Sequence, residues 1–128
     1  MPFLRYALPV LLVAGCAANS SVNRTVMTSV DKPGAYMIVM GKNYDAGALG
    51  DYNKALPPIY AQYGGRYVAL TRDVVPLEGR DDYQAIVISV WDSADDAQDF
   101  WDSDEYRAAK KLREGNGEWD VVIVPALP

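Results

Sequence analysis

The stretch Leu56–Glu78, LPPIYAQYGGRYVALTRDVVPLE, contains the chain reversal around which the rest of the fold is arranged. Its first part has the apolar spacing of a helix, and the part after Arg66 alternates loosely, as a strand does. Between them, Gly64 can adopt the left-handed conformation that ends a helix, because it has no Cβ, and Gly65 lets the backbone turn back. The sequence therefore predicts a helix that ends at Gly64 and a strand that begins at Arg66.

Three further strands are predicted on either side of this reversal. Two of them are continuous apolar runs, which is typical of strands that are buried on both faces. The last is followed by Pro125, which ends it. Together with the strand Arg66–Val75, the predicted strands are Ala35–Met40, Gln84–Trp91 and Trp119–Val124.

The helices are predicted from apolar spacing and from their N-caps. Asp45 is the predicted cap of the first helix, and Ser93 and Ser103 are the predicted caps of two short helices after the third strand. Pro57 and Pro58 predict a kink or a restart in the first helix, because proline removes a hydrogen bond and clashes with the preceding turn. The apolar stripe of that helix is Leu49, Tyr52, Leu56, Ile59 and Tyr63.

The order strand, helix, strand, strand, helix, strand predicts an α+β fold of the ferredoxin-like βαββαβ type. It has an antiparallel four-stranded sheet with the helices on one face. The other face must also be covered, because the runs Ala35–Met40 and Gln84–Trp91 are apolar at successive positions. A second copy of the chain would supply that cover. We therefore predict a homodimer, a dimeric α+β barrel.

The N-terminus resembles a bacterial lipoprotein signal peptide. Arg5 supplies a positive charge, a short apolar run follows, and Val13-Ala14-Gly15-Cys16 matches the lipobox. The resemblance implies that residues 1–15 are removed and that Cys16 carries the lipid that holds the protein in the membrane. Because Ala17 is not the aspartate of inner-membrane retention, we expect the outer membrane, with the domain in the periplasm. The alternatives are a secretory signal cut after Ala18 and a short N-terminal membrane anchor.

The predicted domain boundaries follow from a change in composition. Residues 16–34 are rich in Ser, Asn and Thr and have no sustained apolar period, which indicates a flexible linker after the lipidated cysteine. Residues 35–125 contain all the predicted strands and helices and form the one predicted globular domain.

Composition argues against several classes of function. The net charge of −5 and the lack of a basic cluster argue against nucleic-acid binding. The chain has no histidine, which removes the usual general base and the commonest metal or haem ligand. The acidic run from Asp92 to Asp104 lacks the ligand spacing of a calcium loop. We expect no metal and no cofactor, and the sequence favours a binding protein over an enzyme.

Four residues are candidates for a small-molecule site between the sheet and the helices: Tyr52, Arg66, Glu78 and Trp91. Arg66 would hold a carboxylate or phenolate by paired hydrogen bonds, and Glu78 would accept a proton. In the alternative interpretation, Arg66 and Glu78 form a structural ion pair, while Tyr52 and Trp91 belong to the core. No catalytic residue is predicted.

Three motifs are similar to those of the DUF1330 family, a group of small proteins of unknown function. They are Tyr63-Gly64-Gly65-Arg66, Leu77-Glu78-Gly79 and the segment Ser93–Arg113. The resemblance covers Ala35–Val124 and implies the dimeric α+β barrel fold, whose other members include small monooxygenases. The chain has Leu70, Thr71 and Arg72 where family members often have a Gly-Gly pair.

The predicted function is that of an envelope lipoprotein whose domain binds a small molecule or another protein. Its support is the lipobox together with the missing histidine. By analogy with the fold relatives, the alternative is a cofactor-independent oxygenase or isomerase acting on a small phenolic or acidic substrate. A third possibility is a purely structural subunit. Fold analogy by itself does not specify a reaction.

Overall fold

The computed structural model describes residues 32–128, so Cys16 and the predicted signal peptide lie outside the described residues. No helix within that range is both long and apolar enough to cross a bilayer. The elements in chain order are β1 (Ala35–Lys42), a 3-10 turn (Ala46–Leu49), α1 (Gly50–Tyr63), β2 (Arg66–Thr71), β3 (Ala85–Trp91), α2 (Ala94–Asp102), α3 (Asp104–Lys111) and β4 (Glu118–Pro125).

The four strands form one sheet in the order β2-β3-β1-β4, and every neighbouring pair is antiparallel. Ile38, near the middle of β1, lies opposite Ile88 of β3 on one side and Val122 of β4 on the other. This strand order, with a helical segment in each crossover, confirms the predicted ferredoxin-like α+β fold.

The reversal after α1 forms as predicted. Gly64 has a φ of 80°, in the left-handed region, and its N–H donates to a carbonyl of the last helical turn. β2 then begins at Arg66, but it ends at Thr71 rather than at Val75. The chain from residue 72 to residue 84 is an irregular connection to β3.

Pro57 and Pro58 lie inside a continuous helix, so the predicted restart at the prolines is wrong. Proline cannot donate to the carbonyl four residues earlier, which leaves the carbonyls of Asn53 and Lys54 without that bond. Both residues are exposed, so water can bind these carbonyls. The irregular part comes earlier, where Asp45 caps the 3-10 turn that leads into α1.

The two predicted serine caps are present. Ser93 accepts a hydrogen bond from the backbone N–H of Asp96 at 3.0 Å and caps α2. Ser103 accepts from the N–H of Tyr106 at 3.1 Å and donates to the carbonyl of Phe100 at 2.7 Å. Ser103 therefore ends α2 and begins α3, which bends the helical segment over the sheet.

The core lies between the helices and one face of the sheet. Trp91 of β3 and Phe100 of α2 are fully buried there, with ring centroids 4.9 Å apart. Tyr60 of α1 packs on both rings, with centroid distances of 5.2 Å and 4.7 Å. Aromatic packing thus joins α1 and α2 to the sheet.

The sheet face that points away from the helices is mostly apolar, and we call it the outer face. Because side chains alternate along a strand, the neighbours of the core residues in β1, β3 and β4 point to this face. Val122 and Val124 are 44% and 41% exposed in the single chain. The apolar members of the outer face are Tyr36, Ile38, Met40, Ile86, Ile88, Val90, Val122 and Val124.

Candidate functional site

A cavity of about 360 Å³ lies between α1 and the sheet. Its inner wall contains the buried residues Leu49, Tyr52 and Tyr60. At its entrance, Asn53 of α1 and Arg72 after β2 are exposed. The volume lies within the range of known small-molecule sites, which are mostly apolar with a few placed polar groups. The cavity can therefore accept a small organic ligand.

Two stacked aromatic pairs form much of the cavity wall. Tyr60 of α1 and Tyr67 of β2 have ring centroids 4.4 Å apart and an interplanar angle of 23°. Tyr44 and Trp119 have centroids 5.0 Å apart and an angle of 28°. The first pair joins the helix to the edge strand, and the second joins the β1–α1 connection to β4. Aromatic side chains therefore line the cavity from two sides.

A β-bulge in β2 decides which residues of this strand line the cavity. Tyr67 lies opposite Ser89, but Ala69 lies opposite the next residue, Ile88, so the register shifts between them. The shift reverses the alternation of the faces, and Leu70 as well as Tyr67 lines the cavity. Arg72, two residues further, lines it for the same reason.

Tyr52 and Tyr106 form a buried hydrogen-bonded pair, with their hydroxyl oxygens 3.2 Å apart. Burial raises the pKa of Tyr52, the neighbouring Tyr106 raises it further, and the guanidinium of Arg113 opposes the increase. Tyr52 is therefore a neutral phenol near pH 7. It can donate or accept a hydrogen bond, but it is not a base at that pH.

Arg113 is a buried cation that contacts the cavity wall, and it is a residue that the sequence analysis missed. Arg113 is only 8% exposed. Its guanidinium carbon lies 5.5 Å from the ring centroid of Tyr52 and 4.9 Å from that of Trp119. Its Nε has no hydrogen-bond partner among residues 32–128. The two ring faces offset part of the cost of burying the charge. No local pattern indicated this role, because the rings belong to α1 and β4.

Two of the four predicted site residues, Tyr52 and Trp91, are buried beside the cavity or beneath it. Tyr52 lines the cavity directly. Trp91 is fully buried in the core, and its Nε1 donates to Ser89 Oγ at 3.1 Å. For Trp91 the placement agrees with the alternative interpretation, in which it is a core residue.

The two charged residues that were predicted for the site, Arg66 and Glu78, do not lie at the cavity. Arg66 lies at the start of β2 with Nη1 3.8 Å from Oδ1 of Asp92, and both side chains are more than half exposed. Glu78 is exposed in the connection after β2, and it forms no ion pair with any residue of the range 32–128. Neither residue lines the cavity, and the Arg66–Glu78 ion pair of the alternative interpretation does not form within residues 32–128. The chain leaves the sheet after Thr71, which carries Glu78 away from the strand start.

Residues 34–127 match the model of a family described as a domain of unknown function, DUF1330. The chain belongs to the DUF1330 family. None of the curated proteins that were compared with the chain matches it.

Solved structures similar to this DUF1330 protein share its fold. A protein of unknown function from Rhodopseudomonas palustris has a TM-score of 0.61 and 16% identity, over 76% of this chain and 85% of that chain. A conserved protein from Methanosarcina mazei has a TM-score of 0.51 and 10% identity, over 76% and 97%. A third structure, from Bacteroides fragilis, is described as a dimeric protein of unknown function with a ferredoxin-like fold. It has a TM-score of 0.50 and 14% identity, over 73% and 97%.

Proposed function

We propose that this DUF1330 protein is a lipid-anchored module of the bacterial cell envelope that binds a small molecule between α1 and the sheet. The observation that carries the proposal is the cavity of about 360 Å³, with buried aromatic residues inside and exposed polar residues at its entrance. A core that was only structural would fill this space with side chains, because protein interiors are close-packed.

The chemistry of the wall supports binding rather than proton transfer. Among the described residues that line the cavity there is no Asp or Glu, and the chain has no histidine. Burial raises the pKa of both Tyr52 and Tyr60, so neither phenol accepts protons near pH 7. A general base is the group that an isomerase would need there. A cofactor-independent oxygenase or isomerase is thus not better supported than a binding module.

A second copy of the chain is the proposed partner of the outer face. Two rows of this face that cross β3, β1 and β4 are entirely apolar. One row has Tyr36 at its middle, between Val90 and Val124, and the other has Ile38, between Ile88 and Val122. At one end of the sheet, the Nζ of Lys42 lies 3.3 Å from a Glu118 carboxylate oxygen and 3.7 Å from one of Asp82, which gives the apolar region a polar border. Apolar centres with polar rims are typical of protein interfaces. The description of the similar Bacteroides fragilis protein as dimeric agrees with this proposal.

The proposed anchor is lipid on Cys16, and its support is the sequence Val13-Ala14-Gly15-Cys16. With a linker over residues 16–34, the domain would lie roughly 20 Å from the bilayer, the end-to-end distance of a flexible chain of that length. The proposed location is the outer membrane, with the domain in the periplasm.

Binding in the cavity can be tested with N-phenyl-1-naphthylamine, a neutral probe whose fluorescence increases in apolar surroundings. We expect saturable binding to the wild type and loss of binding in Ala85→Leu, because Ala85 lines the cavity and the larger side chain fills it. Ala108→Leu is the matched control, since Ala108 is exposed on α3. Equal binding by Ala85→Leu and the control would contradict the proposal.

A further inference from the structure

Arg72 lies at the cavity entrance without an acidic partner among residues 32–128. It lines the cavity beside Asn53 of α1 and Leu70 of β2. The ion pairs formed within the described range use four other cations, which are Lys42, Arg66, Arg80 and Arg107. Arg72 therefore presents guanidinium donors in the planar arrangement that binds a carboxylate through two hydrogen bonds.

The charges around the cavity are the reverse of those of the whole chain. The chain has 17 acidic residues and a net charge of −5, yet no acidic side chain lines the cavity within the described range. The buried Arg113 adds a second positive charge behind the rings of Tyr52 and Trp119. Neither guanidinium has a carboxylate oxygen within ion-pair distance in residues 32–128, so neither positive charge is neutralised by a salt bridge. The cavity therefore favours an anionic ligand over a cationic one.

The aromatic wall restricts the shape of that ligand. Five aromatic side chains line the cavity, and a planar ring system packs well against aromatic neighbours by edge or by face. They are Tyr44, Tyr52, Tyr60, Tyr67 and Trp119. The rings lie on the inside and Arg72 lies at the entrance, so the two contacts act on opposite ends of one molecule. Asn53, also at the entrance, adds an amide donor for the same charged end.

We propose that the cavity binds a planar aromatic carboxylic acid of one or two rings. Its ring system packs against the aromatic side chains, and its carboxylate binds Arg72 and Asn53. This inference rests on the small-molecule function proposed above and specifies the class of ligand. Arg66, which the sequence favoured as the carboxylate-binding residue, has no part in it, because it pairs with Asp92 outside the cavity.

The test measures displacement of N-phenyl-1-naphthylamine by 2-naphthoate and by 2-naphthalenemethanol, which has the same rings without the charge. We expect 2-naphthoate to displace the probe from the wild type at about tenfold lower concentration, the effect of a charge-assisted hydrogen bond. In Arg72→Gln this advantage is lost, while displacement by the alcohol stays unchanged. Arg66→Gln is the matched control, an exposed arginine of the same strand region that keeps the full advantage of the acid.

Each outcome separates this inference from the function on which it rests. If the probe binds but the acid and the alcohol displace it equally well, the cavity is a ligand site and the inference about acids is wrong. The same conclusion follows if Arg66→Gln and Arg72→Gln weaken 2-naphthoate to the same extent. If the probe, the acid and the alcohol all fail to bind the wild type, the proposed function and the inference are both wrong.

Discussion

The indole of Trp91 occupies the space that a Cβ on Gly65 would need. A Cβ built on Gly65 would lie 2.5 Å from Cη2 of Trp91 and 2.7 Å from the ring of Tyr60. Both rings are buried in the core, so neither can move aside easily. The absence of a side chain at Gly65 is therefore what lets the start of β2 pack against the end of β3.

We predict that Gly65→Ala lowers the free energy of unfolding by about 1–3 kcal/mol, the usual cost of overpacking a core. The measurement is urea-induced unfolding followed by circular dichroism at a fixed protein concentration. Gly50→Ala is the matched control. Gly50 has a helical φ of −56° and nothing within 4 Å of the added Cβ, so that variant gains about 0.4–1 kcal/mol. A Gly65→Ala protein as stable as wild type would show that the contact does not constrain the fold.

The buried hydroxyl of Tyr52 predicts a loss of stability in alkaline solution. Burial raises the pKa of Tyr52 in the folded protein, so above a pH of about 10 the unfolded chain loses this proton first. Deprotonation then stabilises the unfolded state and not the folded state, so the free energy of unfolding falls as pH rises further. At neutral pH, both states hold the proton and the effect is absent.

In Tyr52→Phe, we expect a shallower fall of the unfolding free energy between pH 9 and pH 11 than in the wild type, measured by urea unfolding at each pH. Ile59→Val is the matched control, because it removes a methyl group from the same helix and the same core without removing a phenol. It should lower stability by about 0.5–1.5 kcal/mol at every pH. Parallel curves for wild type and Tyr52→Phe would refute the role of this hydroxyl.

The outer face provides a test of the proposed homodimer. We expect the wild-type domain to be a dimer by light scattering at micromolar concentration, and Val122→Glu to be a folded monomer. The glutamate would place a charge in the apolar part of the interface, where burial without a partner is costly. Val122 is 44% exposed in the single chain, so the substitution leaves the monomer intact.

Leu112→Glu is the matched control for the dimer. Leu112 is 48% exposed but lies after α3, on the helical side of the molecule. We expect this variant to remain dimeric. A monomeric wild type, or a Val122→Glu protein that keeps the dimer mass, would rule out the outer face as the interface between two copies.

Lipid attachment predicts the behaviour of Cys16→Ser in the full-length protein. We expect the wild type to enter the detergent phase of Triton X-114 and the variant to remain in the aqueous phase, because it lacks the thiol that carries the lipid. Ser21→Ala, in the predicted linker, should partition like the wild type. Unchanged partitioning of Cys16→Ser would refute the anchor. A mature N-terminus at Asn19 would instead support the alternative, a secretory signal cut after Ala18.

Local features of the chain were predicted well where their cause is local. Gly64 ends α1 because its φ is positive, and Ser93 and Ser103 cap helices through bonds to backbone three residues away. These effects depend only on neighbouring residues, so sequence reasoning can find them. The prolines of α1 were misjudged, because their cost depends on whether the freed carbonyls face water.

The amino-acid sequence by itself determined the order of strands and helices, since apolar periodicity and capping residues act over a few positions. Only the tertiary structure decided which arginine faces the cavity. Strict alternation along β2 would put Arg72 on the same face as Arg66, but the bulge between Tyr67 and Ala69 turns Arg72 toward the cavity instead. Arg113 likewise meets Tyr52 and Trp119 only when α1 and β4 are packed together. Such contacts join residues far apart in the chain, and no local pattern encodes them.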